Sequence, residues 1–158
     1  AVRFTDAGDA LVHVGPKGRR VVWRRAGQWE RKKQLRAEAG ILDLALRPGA
    51  AQVAAVLENN RLLLCAPDSS ERPRRIASFD SRSAVRDIRY SADGRRLILF
   101  GSQFVQIWHP DLLAKLTVVR PPDDSEFFAA RMTGEPFTLV TTGDGHITTW
   151  PSAAPGRD

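Results

Sequence analysis

Three histidines, one cysteine and a few short acidic runs are the residues of this chain that could do chemistry, and their spacing limits what they can do. His13, His109 and His146 fall at unrelated positions, and the sequence holds no HxxxH, CxxC or GxSxG pattern and no glycine-rich phosphate loop. His13 alternates with apolar neighbours in Leu11-Val12-His13-Val14 and reads as a half-buried sheet residue. Asp123 and Asp124 could hold a cation, yet an adjacent pair behind Pro121-Pro122 reads as a stiff acidic connector. Asp6, Asp93 and Asp144 suit turns, where a short acidic side chain caps its own backbone. Cys65 is the single cysteine, has no neighbouring His or CxxC, and reads as a core filler. No nucleophile, base and orienting group converge, so the sequence points away from catalysis and calls for no metal and no cofactor.

The charge offers a different chemistry. Twenty Arg and four Lys against 18 acids give +6, with a pI near 10.4. Lys17, Arg19, Arg20, Arg24, Arg25, Arg31, Lys32, Lys33 and Arg36 lie in one stretch that also holds Trp23 and Trp29, and Arg72, Arg74 and Arg75 form a second cluster. Cations that release counterions from phosphate, interleaved with rings that stack on bases, can bind nucleic acid. The competing account is a charged sheet edge, which keeps an outer strand from pairing with other chains. The excess of Arg over Lys, beside abundant Ala and Gly, also matches GC-rich bacterial coding.

These residues need elements to position them, and 42% apolar content over 158 residues is enough to bury a core. No apolar stretch approaches the ~20 residues that span a bilayer, and AVRFTDAGDA lacks the plan of a signal peptide. With a single cysteine, the expectation is a soluble, cytoplasmic chain.

The pattern is clearest in residues 84–111. An alternating run ending at Tyr90, a Ser91-Ala92-Asp93-Gly94 turn, an apolar run over 96–100, a Gly101-Ser102 turn and a run ending Ile107-Trp108 read as three short antiparallel strands. Tyr90 aligns with Phe4, Leu46 and Met132 at spacings of 42, 44 and 42, and Trp108 with Trp23, Cys65 and Trp150 at 42, 43 and 42. Two independent markers in step at this period predict propeller blades.

The chain here resembles the WD-repeat (WD40) β-propeller family. The resemblance rests on Asp87-Ile88-Arg89-Tyr90-Ser91-Ala92-Asp93-Gly94, its echo Asp43-Leu44-Ala45-Leu46-Arg47-Pro48-Gly49, and the runs Val105-Gln106-Ile107-Trp108 and Gly143-Asp144-Gly145-His146-Ile147-Thr148-Thr149-Trp150. It implies an all-β fold of four repeats of about 42 residues, each a four-stranded antiparallel sheet, forming part of a larger ring. The blades are expected over 1–36, 37–79, 80–120 and 121–158, the last without an outer strand. The family joins a His, a Ser or Thr, an Asp and a Trp in each blade. Blade 4 keeps Asp144 and Trp150 with Thr141 or Thr142, while blades 1 to 3 offer Lys17, Asn59 or Asn60, and Gln103 at the Asp position. Trp23, Cys65, Trp108 and Trp150 are expected to be buried at equivalent places.

What the resemblance implies for function is a rigid scaffold presenting loops to a protein partner. Lys17, Arg36, Asn59, Asn60, Arg82, Gln103, Phe104, Asp123, Asp124, Glu126 and His146 would lie on one face, with Phe104 either an aromatic anchor or packed over the blade edge. Such a ring would belong to a larger bacterial signalling or defence protein, the alternative being a nucleic-acid-binding module using 17–36 and 72–75. The abrupt first strand and missing last strand further predict that these residues do not close alone. Further sequence of the same chain, a second copy or another polypeptide would then cover the ends.

Overall fold

In the computed structural model the described residues are 2–4, 10–15, 18, 20–25, 28–66, 74–76, 79, 84–112, 114–122, 125–133 and 138–151. Lys17, Arg19, Arg72, Arg82, Asp123 and Asp124 lie outside them, as does Asp6 with the turn expected for it.

Among the described residues fifteen strands form four antiparallel sheets, each in simple chain order. The first holds β1 (Val2–Phe4), β2 (Ala10–Val14), β3 (Arg20–Arg25) and β4 (Gln28–Arg36), and the second β5 (Ile41–Leu46), β6 (Val53–Leu57), β7 (Leu62–Cys65) and β8 (Arg74–Ile76). The third holds β9 (Val85–Tyr90), β10 (Leu97–Gly101), β11 (Phe104–His109) and β12 (Ala114–Val119), and the fourth β13 (Ala129–Thr133), β14 (Thr138–Gly143) and β15 (His146–Pro151). Turn chemistry sets these hairpins. Asn60 and the Asp144-Gly145 pair take positive φ, and Gly49 and Gly94 do so between the first two strands of their sheets.

The sheets pack face to face, with one apolar cluster at each junction. Val12 meets Ile41, Leu44, Val53, Ala55 and Leu63 between sheets one and two. Ala54, Val56, Leu62 and Leu64 meet Ile88, Leu97, Leu99 and Trp108 between two and three. Ile98, Phe100, Val105 and Ile107 meet Phe127, Ala130 and Leu139 between three and four. Strands β6, β7 and β10 are therefore buried along their whole length, which is why they read as unbroken apolar runs. The first strands of successive sheets touch, β1 against β5 and β5 against β9, and so form the inner wall of an arc.

Pairing puts Trp108 opposite Leu97, Cys65 opposite Val53 and Trp150 opposite Leu139, each in line with Tyr90, Leu46 and Met132. Trp108 and Cys65 are buried, and Trp150 packs half-buried on the third cluster. Blade 1 departs from the expected equivalence. Leu11, opposite Phe4, pairs with Arg24, and Trp23 pairs with Val12, one residue out of step, because the β2–β3 connection is one residue longer than that of blade 2 and two longer than those of blades 3 and 4.

Candidate interaction face

At one end of the sheets, the connectors into β5, β9 and β13 meet the turns β6–β7, β10–β11 and β14–β15. Backbone bonds lock these segments together. Glu58 N–H donates to the Gly40 carbonyl at 2.8 Å, Phe127 N–H to Ser102 at 2.8 Å and Phe128 N–H to Thr142 at 2.7 Å. Gly40 and Gly143 permit the approach, since a Cβ there would overlap the Glu58 carboxyl and the Glu126 carbonyl oxygen respectively. Gln103 Nε2 donates to the Ser125 carbonyl at 3.4 Å, so Gln103 ties a connector down.

On this framework Arg36, Asn59, Glu126 and His146 are exposed and Asn60 is half-buried. Two ion pairs that sequence reasoning missed organise the face. Arg61 reaches Glu38 at 2.7 Å, where Asn59 Nδ2 also donates at 3.4 Å, and Arg86 reaches Glu126 at 3.4 Å while bonding the Phe127 carbonyl. Each joins a connector to a strand or turn 20 to 40 residues away, and no local pattern signals that. Phe104 leaves the set of surface candidates. It is 3% exposed, and its ring lies 6.4 Å from that of Phe79 inside the second junction, so it is a core residue.

Of the basic candidates, Arg20, Arg24 and Arg25 fall on β3, Arg31, Lys32, Lys33 and Arg36 on β4, and Arg74 and Arg75 on β8. Strands β4 and β8 are the outermost of the described strands in their sheets.

Two further polar groups tie blades together away from this face. On the inner wall, Arg3 Nη2 holds both Asp43 oxygens at 3.0 and 3.1 Å and lies 3.9 Å from Asp87, which is paired with Arg89. Burial raises the Asp43 carboxyl above its ordinary value, against the pull of the Leu44 N–H and Arg3, and Asp87 adds to the rise. At the opposite end Arg47 clasps Asp111 at 2.5 and 2.8 Å and donates to Gln52, which accepts from the Tyr90 hydroxyl at 3.1 Å. The hydrogen bond from Arg47 lowers the Asp111 pKa, and burial raises that of the Tyr90 phenol.

The tryptophans are bonded differently in the two blades where their partners are seen. Trp150 Nε1 donates to Thr141 Oγ1 at 3.0 Å, which settles the hydroxyl as Thr141, whereas Trp108 Nε1 donates to Gln106 Oε1 at 3.2 Å. Gln106 was missed, although a lone Gln within Phe104-Val105-Gln106-Ile107-Trp108 is the signal that could have found it. His13 Nδ1 meets the Val14 carbonyl at 3.1 Å, and His109 Nδ1 accepts from Leu112 N–H, so both serve the backbone. Among the described residues no three His, Cys, Asp or Glu cluster to hold a metal, and no helix is long and apolar enough to cross a membrane.

No protein-family model matches the chain. No curated protein matches it either. Among solved structures, it is similar to the β-propeller domain of Cps50 (Swd1) from Myceliophteria thermophila, with a TM-score of 0.73 at 16% identity. The match covers 100% of this chain and 55% of that one, so the chain spans about half of its structural neighbour. With four stacked sheets, their repeated register and this neighbour in hand, the chain is an all-β arc of β-propeller blades.

Proposed function

We propose that the chain is a non-catalytic protein-interaction scaffold whose arc of blades holds a polar loop face for a protein partner. The observation that carries this reading is how the face is fixed. The Glu58, Phe127 and Phe128 amides are bonded into neighbouring segments at 2.7–2.8 Å, so Arg36, Asn59, Glu126 and His146 stand on backbone that cannot easily rearrange. The Trp150–Thr141 bond supports a WD-repeat origin with worn repeats, the excess of Arg beside abundant Ala and Gly supports a bacterial source in which the arc serves a larger signalling or defence protein, and the single cysteine supports a cytoplasmic setting.

The second reading, nucleic-acid binding, is favoured by the run Arg31, Lys32, Lys33 and Arg36 along β4. Photo-crosslinking side chains placed in turn at Asn59, His146 and the outer-strand Leu116 test the first reading. Discrete protein adducts from Asn59 and His146, lost on Glu126→Arg and absent from Leu116, are expected; equal labelling from all three would end it. Titration with single-stranded RNA and duplex DNA at low salt tests the second, which requires binding that weakens linearly in log salt.

A further inference from the structure

The first strands of blades 2 and 3 touch without sharing a ladder, so side chains must hold β5 to β9 at the inner wall. Asp43 is the centre of that joint. Its Oδ2 accepts the Ile88 N–H of β9 at 3.4 Å, and Arg3 of β1 reaches both its oxygens, so one carboxyl gathers the inner strands of three blades. The same Arg3 Nη2 lies 3.9 Å from Asp87 Oδ1, which sets two carboxyls beside one guanidinium. The Asp43 and Asp87 side chains are only 14% and 22% exposed, and Arg89 holds the other Asp87 oxygen.

We propose that Asp43 and Asp87 share one proton across this joint, and that its departure parts β5 from β9, so that the inner wall answers to pH. Two ionised carboxylates around one guanidinium repel each other, and a proton held between them turns the repulsion into a hydrogen bond. The Ile88 N–H occupies Oδ2 of Asp43, which leaves Oδ1 to carry the proton and donate it to Asp87. Burial raises the Asp43 carboxyl, and Asp87 raises it further as a hydrogen-bond partner and as a like charge, against the Leu44 N–H and Arg3.

The surroundings supply little else to steady two negative charges. Of the other strands packed on β5, β6 carries no charged side chain, and β2 carries His13, whose Nδ1 meets the Val14 carbonyl. On β9, Arg86 is turned to Glu126 and Arg89 to Asp87. Once the proton passes to water, Arg3 sits 3.0 Å from one carboxylate and 3.9 Å from the other, so a like-charge contact remains between blades 2 and 3. The joint is therefore tight below the ordinary 3.8 of a carboxyl and loosens as the pH rises through the raised value of the pair.

Carbon-detected NMR titration of the chain labelled at its aspartate carboxyls tests the shared proton, and amide hydrogen exchange tests the joint. In the parent chain the Asp43 and Asp87 resonances should each report the same two steps, separated by more than about 1 pH unit. Asp87→Asn should leave Asp43 a single step closer to 3.8, and Arg3→Gln should move the upper step higher by removing the shared cation. Through the upper step the protection of the Ile88 amide, bonded across the joint, should fall about tenfold, while that of the Phe128 amide, bonded to Thr142 within blade 4, stays level. Separate single steps for the two carboxyls in the parent chain, an Asp43 step indifferent to Asp87→Asn, or Ile88 protection that stays flat through the upper step would each overturn the proposal.

Discussion

Trp150 donates its indole N–H to the buried hydroxyl of Thr141 at 3.0 Å, binding the last strand of blade 4 to its middle strand across the face that meets blade 3. Thr141→Val keeps the shape and removes the acceptor, leaving a half-buried donor unpaired. It should cost about 1–2 kcal/mol, and Thr141→Ser should recover most of that. Urea unfolding at fixed protein concentration, with an unchanged slope, is the measurement.

Trp108 fills the junction of blades 2 and 3 and is bonded to Gln106 on its own strand. Trp108→Ala should cost about 3–5 kcal/mol through the cavity it leaves. Gln106→Leu, which strands the indole N–H, should cost about 1–3 kcal/mol, and the two losses should fall short of adding because they share one bond. A double-mutant cycle by thermal or urea unfolding reads this directly.

Glycines at two kinds of site should respond differently. Gly143→Ala drives a methyl into the Glu126 carbonyl oxygen, which is backbone and cannot swing away, so a loss of about 1–3 kcal/mol is expected. Gly49→Ala meets open space and carries only the strain of φ +66°, about 1–2 kcal/mol. Because the Glu126 carbonyl belongs to the polar loop face, Gly143→Ala should also weaken crosslinking from His146 while Gly49→Ala leaves it unchanged.

The carboxylates pull the pH profile in opposite directions. Asp111, lowered by Arg47, and Asp93, lowered by the Ser91 hydroxyl and the Arg95 N–H, add stability that is present above their ordinary 3.8 and fades as the pH falls through their lowered values. Asp43 is raised by burial, so its contribution is fullest below 3.8 and is lost as the pH rises through its raised value. Asp111→Asn should therefore flatten the acid limb below 3.8. Asp43→Asn should remove the component that declines just above it. Unfolding free energies from pH 3 to 7, taken as differences from the parent chain, check both signs.

The blades were legible because their signals are local: apolar runs of five or six residues, Asp-Gly and Asn-Asn turns, and two markers in step. Legibility ended where one residue changes a face. Trp23 keeps the marker spacing, yet the register sets Arg24 opposite Leu11, because sequence spacing cannot distinguish a longer strand from a longer turn. Phe104 sits beside a turn in sequence, and only the packing of one sheet on the next reveals that Phe79 and the second junction enclose it. On the candidate face, Asn59, Glu126 and His146 follow from turn and connector positions. The pairings of Arg61 with Glu38 and Arg86 with Glu126 depend on three-dimensional approach, which carries no periodicity.

Each junction is spanned by an arginine of the earlier blade and a carboxylate of the later one: Arg3 to Asp43, Arg47 to Asp111 and Arg86 to Glu126. The pairs sit at three different heights, on the inner wall, at one end of the sheets and at the other. Leu, Val, Ala and Ile fill all three apolar junctions alike and could not by themselves tell one neighbour from another. The staggered pairs differ in height from one junction to the next and so add a polar distinction that the shared aliphatic packing lacks. Adhesion between blades is thereby supplied by hydrocarbon, while an arginine that always reaches forward to the next blade's carboxylate gives the arc a sense of direction.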